Sequence, residues 1–177
     1  MKSKLIVLGV TGSIAAYKAA DLCSKLVKEF EVQVILTGNA CRFVTPVTFR
    51  TLSRRPVITT LWEDESQWRP RHVVLADEAA LFAVVPATAN FLAKAANGIA
   101  DDALSTFAAT FNGTHIYAPA MNPKMWAHSA CRENCAVLEK RGAIFAGPAN
   151  GSVACGAAGT GRMIEVPEII EIISKHL

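Results

Sequence analysis

Leu5-Ile6-Val7-Leu8-Gly9-Val10 and Ala80-Leu81-Phe82-Ala83-Val84-Val85 are short, unbroken apolar runs. A run this short and uniform offers no wet face, so it fits a strand buried on both sides, as in a parallel sheet. Val32–Leu36, His115–Ala118 and Ala143–Ala146 read as further strands, and 57–61 as a minor one. Between them, apolar residues recur at helical spacing over 14–27, 88–97, 104–111, 130–141 and 167–176. Ser13 and Thr88 stand where N-caps belong, Gly142 where a helix stops, and Pro167 in a first turn. Residues 40–52 read as short helical pieces broken at Pro46, and 63–71 as a polar surface loop. Residues 147–162 hold five of the eleven glycines without periodicity and read as a long loop. Strands alternating with helices predict an α/β fold: a doubly wound parallel sheet, a Rossmann- or flavodoxin-like three-layer sandwich. No linker or internal repeat divides residues 1–177, so a single domain is expected.

Composition narrows the function classes. The chain is 51% hydrophobic and 19% charged, which suits a sheet covered on both faces and a further apolar surface in a subunit interface. The net charge of +3 is scattered, with no basic stripe for nucleic acid. No apolar run approaches the ~18 residues of a membrane span. Met1-Lys2-Ser3-Lys4 leads straight into the first strand and reads as a cytoplasmic start. The five cysteines include no C-x-x-C pair, and Cys131, Cys135 and His128 lack partners for a zinc site, so no metal is expected.

Ligands of such sheets bind beyond the carboxyl ends of the strands. That selects the turns 9–13, 37–40, 86–90 and 119–122. Gly9-Val10-Thr11-Gly12-Ser13 is neither a dinucleotide fingerprint nor a Walker loop. It is either a plain strand-to-helix turn or an anion site in which the hydroxyls of Thr11, Ser13 and Thr37 meet a phosphate monoester, as on FMN. Thr88 and Asn90 offer a hydroxyl and an amide at a helix start; Asp101 and Asp102 are explained by capping. Asn122 either caps the next turn or presents its amide to a carboxylate. His72 precedes a strand whose far end is a ligand turn. Cys155 sits in a glycine-dense segment that is either a surface loop or a flap over a substrate.

Gly12–Lys18, His72-Val73, Pro86–Asn90, Asn97–Asp102, Pro119–Trp126, Ala154-Cys155-Gly156 and Gly161-Arg162-Met163, in that order, resemble the homo-oligomeric flavin-containing cysteine decarboxylases. The resemblance spans essentially the whole chain and is strongest to the phosphopantothenoylcysteine decarboxylase branch. It implies FMN, with Gly12, Ser13, Ile14, Thr37, Thr88, Ala89, Asn90 and Ala120 at cofactor-contacting positions. It implies His72 and Cys155 as catalytic residues, Asn122 on the substrate carboxylate, and Ser152, Ala154 and Met163 in the substrate flap. The family reaction oxidises the carbon bearing sulfur to a thioaldehyde, releases CO2 to an enethiolate, and reduces that with a proton from the cysteine. The implied substrate is phosphopantothenoylcysteine, and the product is 4′-phosphopantetheine of coenzyme A biosynthesis. The implied assembly is a homo-trimer or a dodecamer of trimers, with sites at subunit interfaces. Two other readings share the fold: a decarboxylase of a peptide's C-terminal cysteine, and a non-catalytic FMN-binding regulatory subunit. Ala157 and Phe91 depart from the family's usual Asp and Thr. Many bacterial relatives are fused to a ligase domain, which for a chain ending at Leu177 would be separate.

Overall fold

The computed structural model describes residues 4–62 and 68–177. Five parallel strands, β1 (Leu5–Val10), β2 (Glu31–Leu36), β3 (Ala79–Ala87), β4 (Thr114–Pro119) and β5 (Ile144–Phe145), lie in the order β2-β1-β3-β4-β5. Their uniform apolarity has a direct cause. Ile6, Leu8, Val10, Leu81, Ala83 and Val85 pack into one core layer, and Val7, Phe82 and Val84 into the other. Alternate side chains point to opposite faces, and both faces are covered. On the first face lie α1 (Ala16–Leu26), α2 (Pro46–Ser53) and α8 (Val166–Lys175). On the second lie α3 (Arg71–Glu78), α4 (Ala89–Asn97), α5 (Ala103–Thr110) and α7 (Ser129–Lys140). The second layer centres on Phe82, whose ring meets Phe107 edge-on at 5.0 Å. Burying such a ring is worth about 3 kcal/mol.

Several expectations change. The 57–61 strand is a single bridge, Ile58 to Ile35. The short helical pieces expected over 40–52 are a 3-10 turn at Ala40–Arg42 and α2, which Pro46 opens. Arg71 does not end a loop; it starts α3, whose first turn hangs on the Pro70 carbonyl through the Val73 N–H at 3.0 Å. Residues 68–70 of the expected polar loop are irregular, and 63–67 lie outside the described residues. Ser13 is not the cap of α1. That helix begins at Ala16 after an extra turn, in which the Ser13 carbonyl accepts the Ala16 N–H at 2.9 Å. Residues 147–162 are not an irregular loop but carry an antiparallel hairpin, β6 (Ala149–Ser152) with β7 (Ala158–Arg162). A short helix, α6 (Pro123–Ala127), follows β4.

Candidate active site

The strand order reverses between β1 and β3, and the crevice at their carboxyl ends is where a doubly wound sheet takes its ligands. Thr11 fastens this switch point. Its buried hydroxyl donates to the Pro86 carbonyl at 2.7 Å and accepts the Thr88 N–H at 3.1 Å. The proton of that hydroxyl is therefore committed to joining two turns, while Thr11 also lines the first of the two cavities below. Gly12 is needed for close approach: a Cβ there would stand 2.5 Å from the Asn39 Cβ.

Two cavities open on either side of the Gly12–Ser13 turn. The first, about 610 Å³, is lined by Gly12, Thr37, Thr88, Ala89 and Asn90, with Arg42 supplying positive charge and the Lys94–Asp102 pair at its wall. The Thr37 hydroxyl also accepts the Ala40 N–H at 3.2 Å, and the Thr88 hydroxyl caps α4 by accepting the Phe91 N–H at 3.4 Å. Lys94 bonds Asp101 at 2.6 Å and Asp102 at 2.8 Å. Burial alone would lower the Lys94 pKa, but the two carboxylates outweigh it and raise it. The Phe91 ring turns into the core, 5.5 Å from Tyr117.

The second cavity, about 590 Å³, collects Ser13, Ile14, Ala120, Asn122, Ser152, Ala154, Cys155 and Met163. Here the hairpin folds onto the end of β4. Ala154-Cys155-Gly156 form its three-residue loop, closed by the Val153 N–H on the Ala157 carbonyl at 2.9 Å, with Gly156 at φ +80°. β7 is glycine-rich because it lies flat on the Met121–Pro123 backbone. A Cβ on Gly161 would come 2.4 Å from the Met121 carbonyl oxygen, and one on Gly159 3.0 Å from the Pro123 Cβ. The Met121 N–H donates to the Gly161 carbonyl at 3.0 Å and pins the two segments together.

Of the two roles the sequence left open for Asn122, the structure shows the cap. Its side-chain oxygen accepts the Lys124 N–H at 2.8 Å and caps α6, which leaves its NH2 facing outward. That NH2 donates to the Cys155 sulfur at 3.1 Å. The exposed Cys155 thiol is held below the usual thiol range by the Ala157 backbone N–H and then by the Asn122 amide. Position 157 thus acts on the thiol through its backbone. By contrast, burial raises the Cys135 thiol to about 12.

His72 does not join this group. It lies on α3, on the opposite face of the sheet from α1 and Met163, lining a small cavity of about 60 Å³ with Ile35, Ile58 and Leu75. Arg42 and Lys94 in the first cavity, and Lys18 and Arg162 in the second, received no role from the sequence. Lys18 and Arg162 fall inside the quoted motifs; Arg42 and Lys94 carry no signal beyond closeness to ligand turns.

Among the described residues no group of His, Cys, Asp and Glu could hold a metal ion, and no helix is long and apolar enough to cross a membrane. The chain is 43% identical over 177 residues to the coenzyme A biosynthesis bifunctional protein CoaBC of Bacillus subtilis, covering 99% of this chain and 44% of that one. It thus spans less than half the length of such two-function relatives. It is 38% identical to the protein of Streptococcus mutans named "Probable phosphopantothenoylcysteine decarboxylase", covering 99% of each. Among solved structures, a mutant PPC decarboxylase complexed with pantothenoylaminoethenethiol superposes with TM-score 0.88 at 25% identity, covering 98% of each chain. An FMN-dependent cysteine decarboxylase superposes with TM-score 0.83 at 28% identity, covering 98% of this chain and 94% of the other. The match to the family described as Flavoprotein runs over residues 1–177, from the Gly12 turn through the Cys155 hairpin, and the chain belongs to that family.

Proposed function

We propose that this chain is an FMN-dependent decarboxylase of phosphopantothenoylcysteine, acting in coenzyme A biosynthesis in the cytoplasm. The observation that carries the reading is the contact between the Asn122 carboxamide and the Cys155 thiol at the rim of a substrate-sized cavity. A polar cavity with Arg42 at its wall meets a more apolar one across the Gly12–Ser13 turn, and this donor set fits a ligand with a phosphate at one end and a flat ring at the other. Gly12, Thr37, Thr88, Ala89 and Asn90 would hold the polar part of FMN, and Ser13, Ile14 and Ala120 its ring. When bound, the flavin accepts and returns a hydride, so a cysteine can lose CO2 without net redox change.

The chain's own groups supply orientation and protons. Asn122, locked by its cap bond, sets its NH2 at the cavity, where one N–H meets the Cys155 sulfur and the other can be taken by a carboxylate. Ser152, Ala154 and Met163 close the substrate in and limit water. Cys155, its acidity enhanced by two donors, gives its proton to the carbon left by CO2. His72 reaches the site from a neighbouring protomer of a homo-trimer, alone or assembled into a dodecamer, because its own chain holds it across the sheet.

The test is mass spectrometry of products from phosphopantothenoylcysteine. The yellow protein releases CO2 and forms 4′-phosphopantetheine; Cys155→Ser stops at the enethiol. Normal product from Cys155→Ser removes the proton-donor role. Bound FMN without turnover sinks the enzymatic reading, and turnover only of a cysteine-ended peptide replaces the substrate.

A further inference from the structure

Three sulfurs that no step of the decarboxylation uses gather where α7 packs against the turn after β4. Cys131 and Cys135 stand four residues apart on α7, so both side chains leave the same face of the helix. Both are buried, and each acts on the other's proton. The third sulfur is the Met121 thioether, which accepts the Cys131 thiol at 3.6 Å. Spacing along the chain does not reveal it, because Met121 follows β4 and meets α7 only through the fold. Burial raises both thiols, Cys135 to about 12, and the positive charge of Arg132 pulls against that rise at each. Two buried cysteines alone would pass as small apolar side chains. With a thioether against them they become a compact set of soft donors.

The geometry selects among cations. Three sulfurs in a plane, each ~2.3 Å from one ion as in a metal–thiolate bond, stand about 4 Å from one another. The Cys131–Met121 separation of 3.6 Å is already close to that. Zinc asks for four ligands, and among the described residues no His, Asp or Glu joins the two thiols. Thiolates with a thioether suit Cu(I) instead. Met121 also lines the second cavity, which gives an ion a way in from that side. We propose that Met121, Cys131 and Cys135 form a three-sulfur site for a soft monovalent cation, Cu(I), tethered one residue from Asn122. On binding, the ion replaces the proton of each thiol, the two protons leave to solvent, and copper stays Cu(I). The Arg132 charge beside the pair offsets the negative charge that results. The site stands whether or not the chain is a decarboxylase.

The experiment titrates the purified holoprotein with Cu(I) bicinchoninate under anaerobic, reducing conditions. Wild type and Cys155→Ser each take one Cu(I) per chain from the chelator, and X-ray absorption finds three sulfur neighbours around the metal. Cys135→Ala, shown by circular dichroism to be folded, binds more weakly by over roughly 100-fold, beyond the cost of losing a residue that merely orients a ligand. Met121→Leu is close in volume and keeps both thiolates, so its copper shows two sulfur neighbours. Binding that survives in Cys135→Ala and vanishes in Cys155→Ser assigns the copper to the exposed thiol and overturns the proposal. Retention of all copper by the chelator, nitrogen or oxygen around the wild-type metal, or three sulfurs persisting in Met121→Leu overturns it too. Zn(II) held as tightly as Cu(I) overturns the choice of ion. The wild-type spectrum decides the matter even if every α7 variant fails to fold.

Discussion

The Asn122 side chain is shared between a helix cap and a thiol, and its two ends cannot be exchanged. Its oxygen is held by the Lys124 N–H and its nitrogen by the Cys155 sulfur. Asn122→Ala removes one of the two donors that favour the thiolate, so the thiol pKa rises and alkylation of Cys155 near neutrality slows. Rates of iodoacetamide labelling against pH, with the labelled peptide identified by mass, measure this; an unchanged profile would assign the depression to the Ala157 N–H alone. Asn122→Asp sets a carboxylate against the sulfur and raises the thiol further. The sequence placed Asn122 and Cys155 in one site through ordered motifs, without showing that they touch. It also gave Thr11 and Ser13 ligand or capping roles, because hydroxyls at a strand-to-helix turn serve neighbours and ligands with the same chemistry. Only the distances from Thr11 to Pro86 and Thr88 separate the two.

At the level of elements, strands buried on both faces were readable because their apolar runs are continuous, and helices because caps such as Thr88 and Asp102 stand at their starts. The hairpin β6–β7 was not readable. Its strands are short and glycine-rich, so no alternation marks them, and its position is set by contact with Met121–Pro123 rather than by its own side chains. Gly161→Ala should therefore act as overpacking, costing about 1–3 kcal/mol in thermal or urea unfolding. It should lift the hairpin and lower turnover even though Asn122 and Cys155 are intact. The α3 helix was missed because Pro70 and two arginines resemble a loop and only Leu75 is fully buried. At the start of α5, Asp102 accepts the Ser105 N–H at 2.8 Å and bonds Lys94. Burial would raise its carboxyl pKa, but these bonds prevail and lower it. A depressed carboxyl contributes stability above its unfolded pKa and loses it as pH falls through the folded one. Asp102→Ala should thus cost about 1 kcal/mol near neutrality, and the difference from wild type should shrink in acid. A difference independent of pH would point to lost packing instead.

For the whole molecule, the chain carries every proposed site residue and still does not gather them. His72 and Cys155 line different cavities, and spacing along the chain did not reveal that separation. If assembly supplies His72, two dead variants can rescue each other. Mixing His72→Asn with Asn122→Ala protomers during reassembly yields about a quarter of wild-type activity, since each site draws one residue from each side of an interface. No recovery would place both residues on one chain's site. Exposed Ile14 and Tyr17 beside the second cavity give that interface an apolar surface to bury. Pro123, which opens α6 directly after Asn122, bears on how the molecule ages. Asparagine deamidates when the next residue's backbone N–H nitrogen closes a ring on the side chain, and proline has no such N–H to offer. The chain carries Asn–Gly steps, the most vulnerable kind, at Asn97, Asn112 and Asn150. Stored protein should gather isoaspartate at those three first, while the amide that faces the thiol keeps its nitrogen.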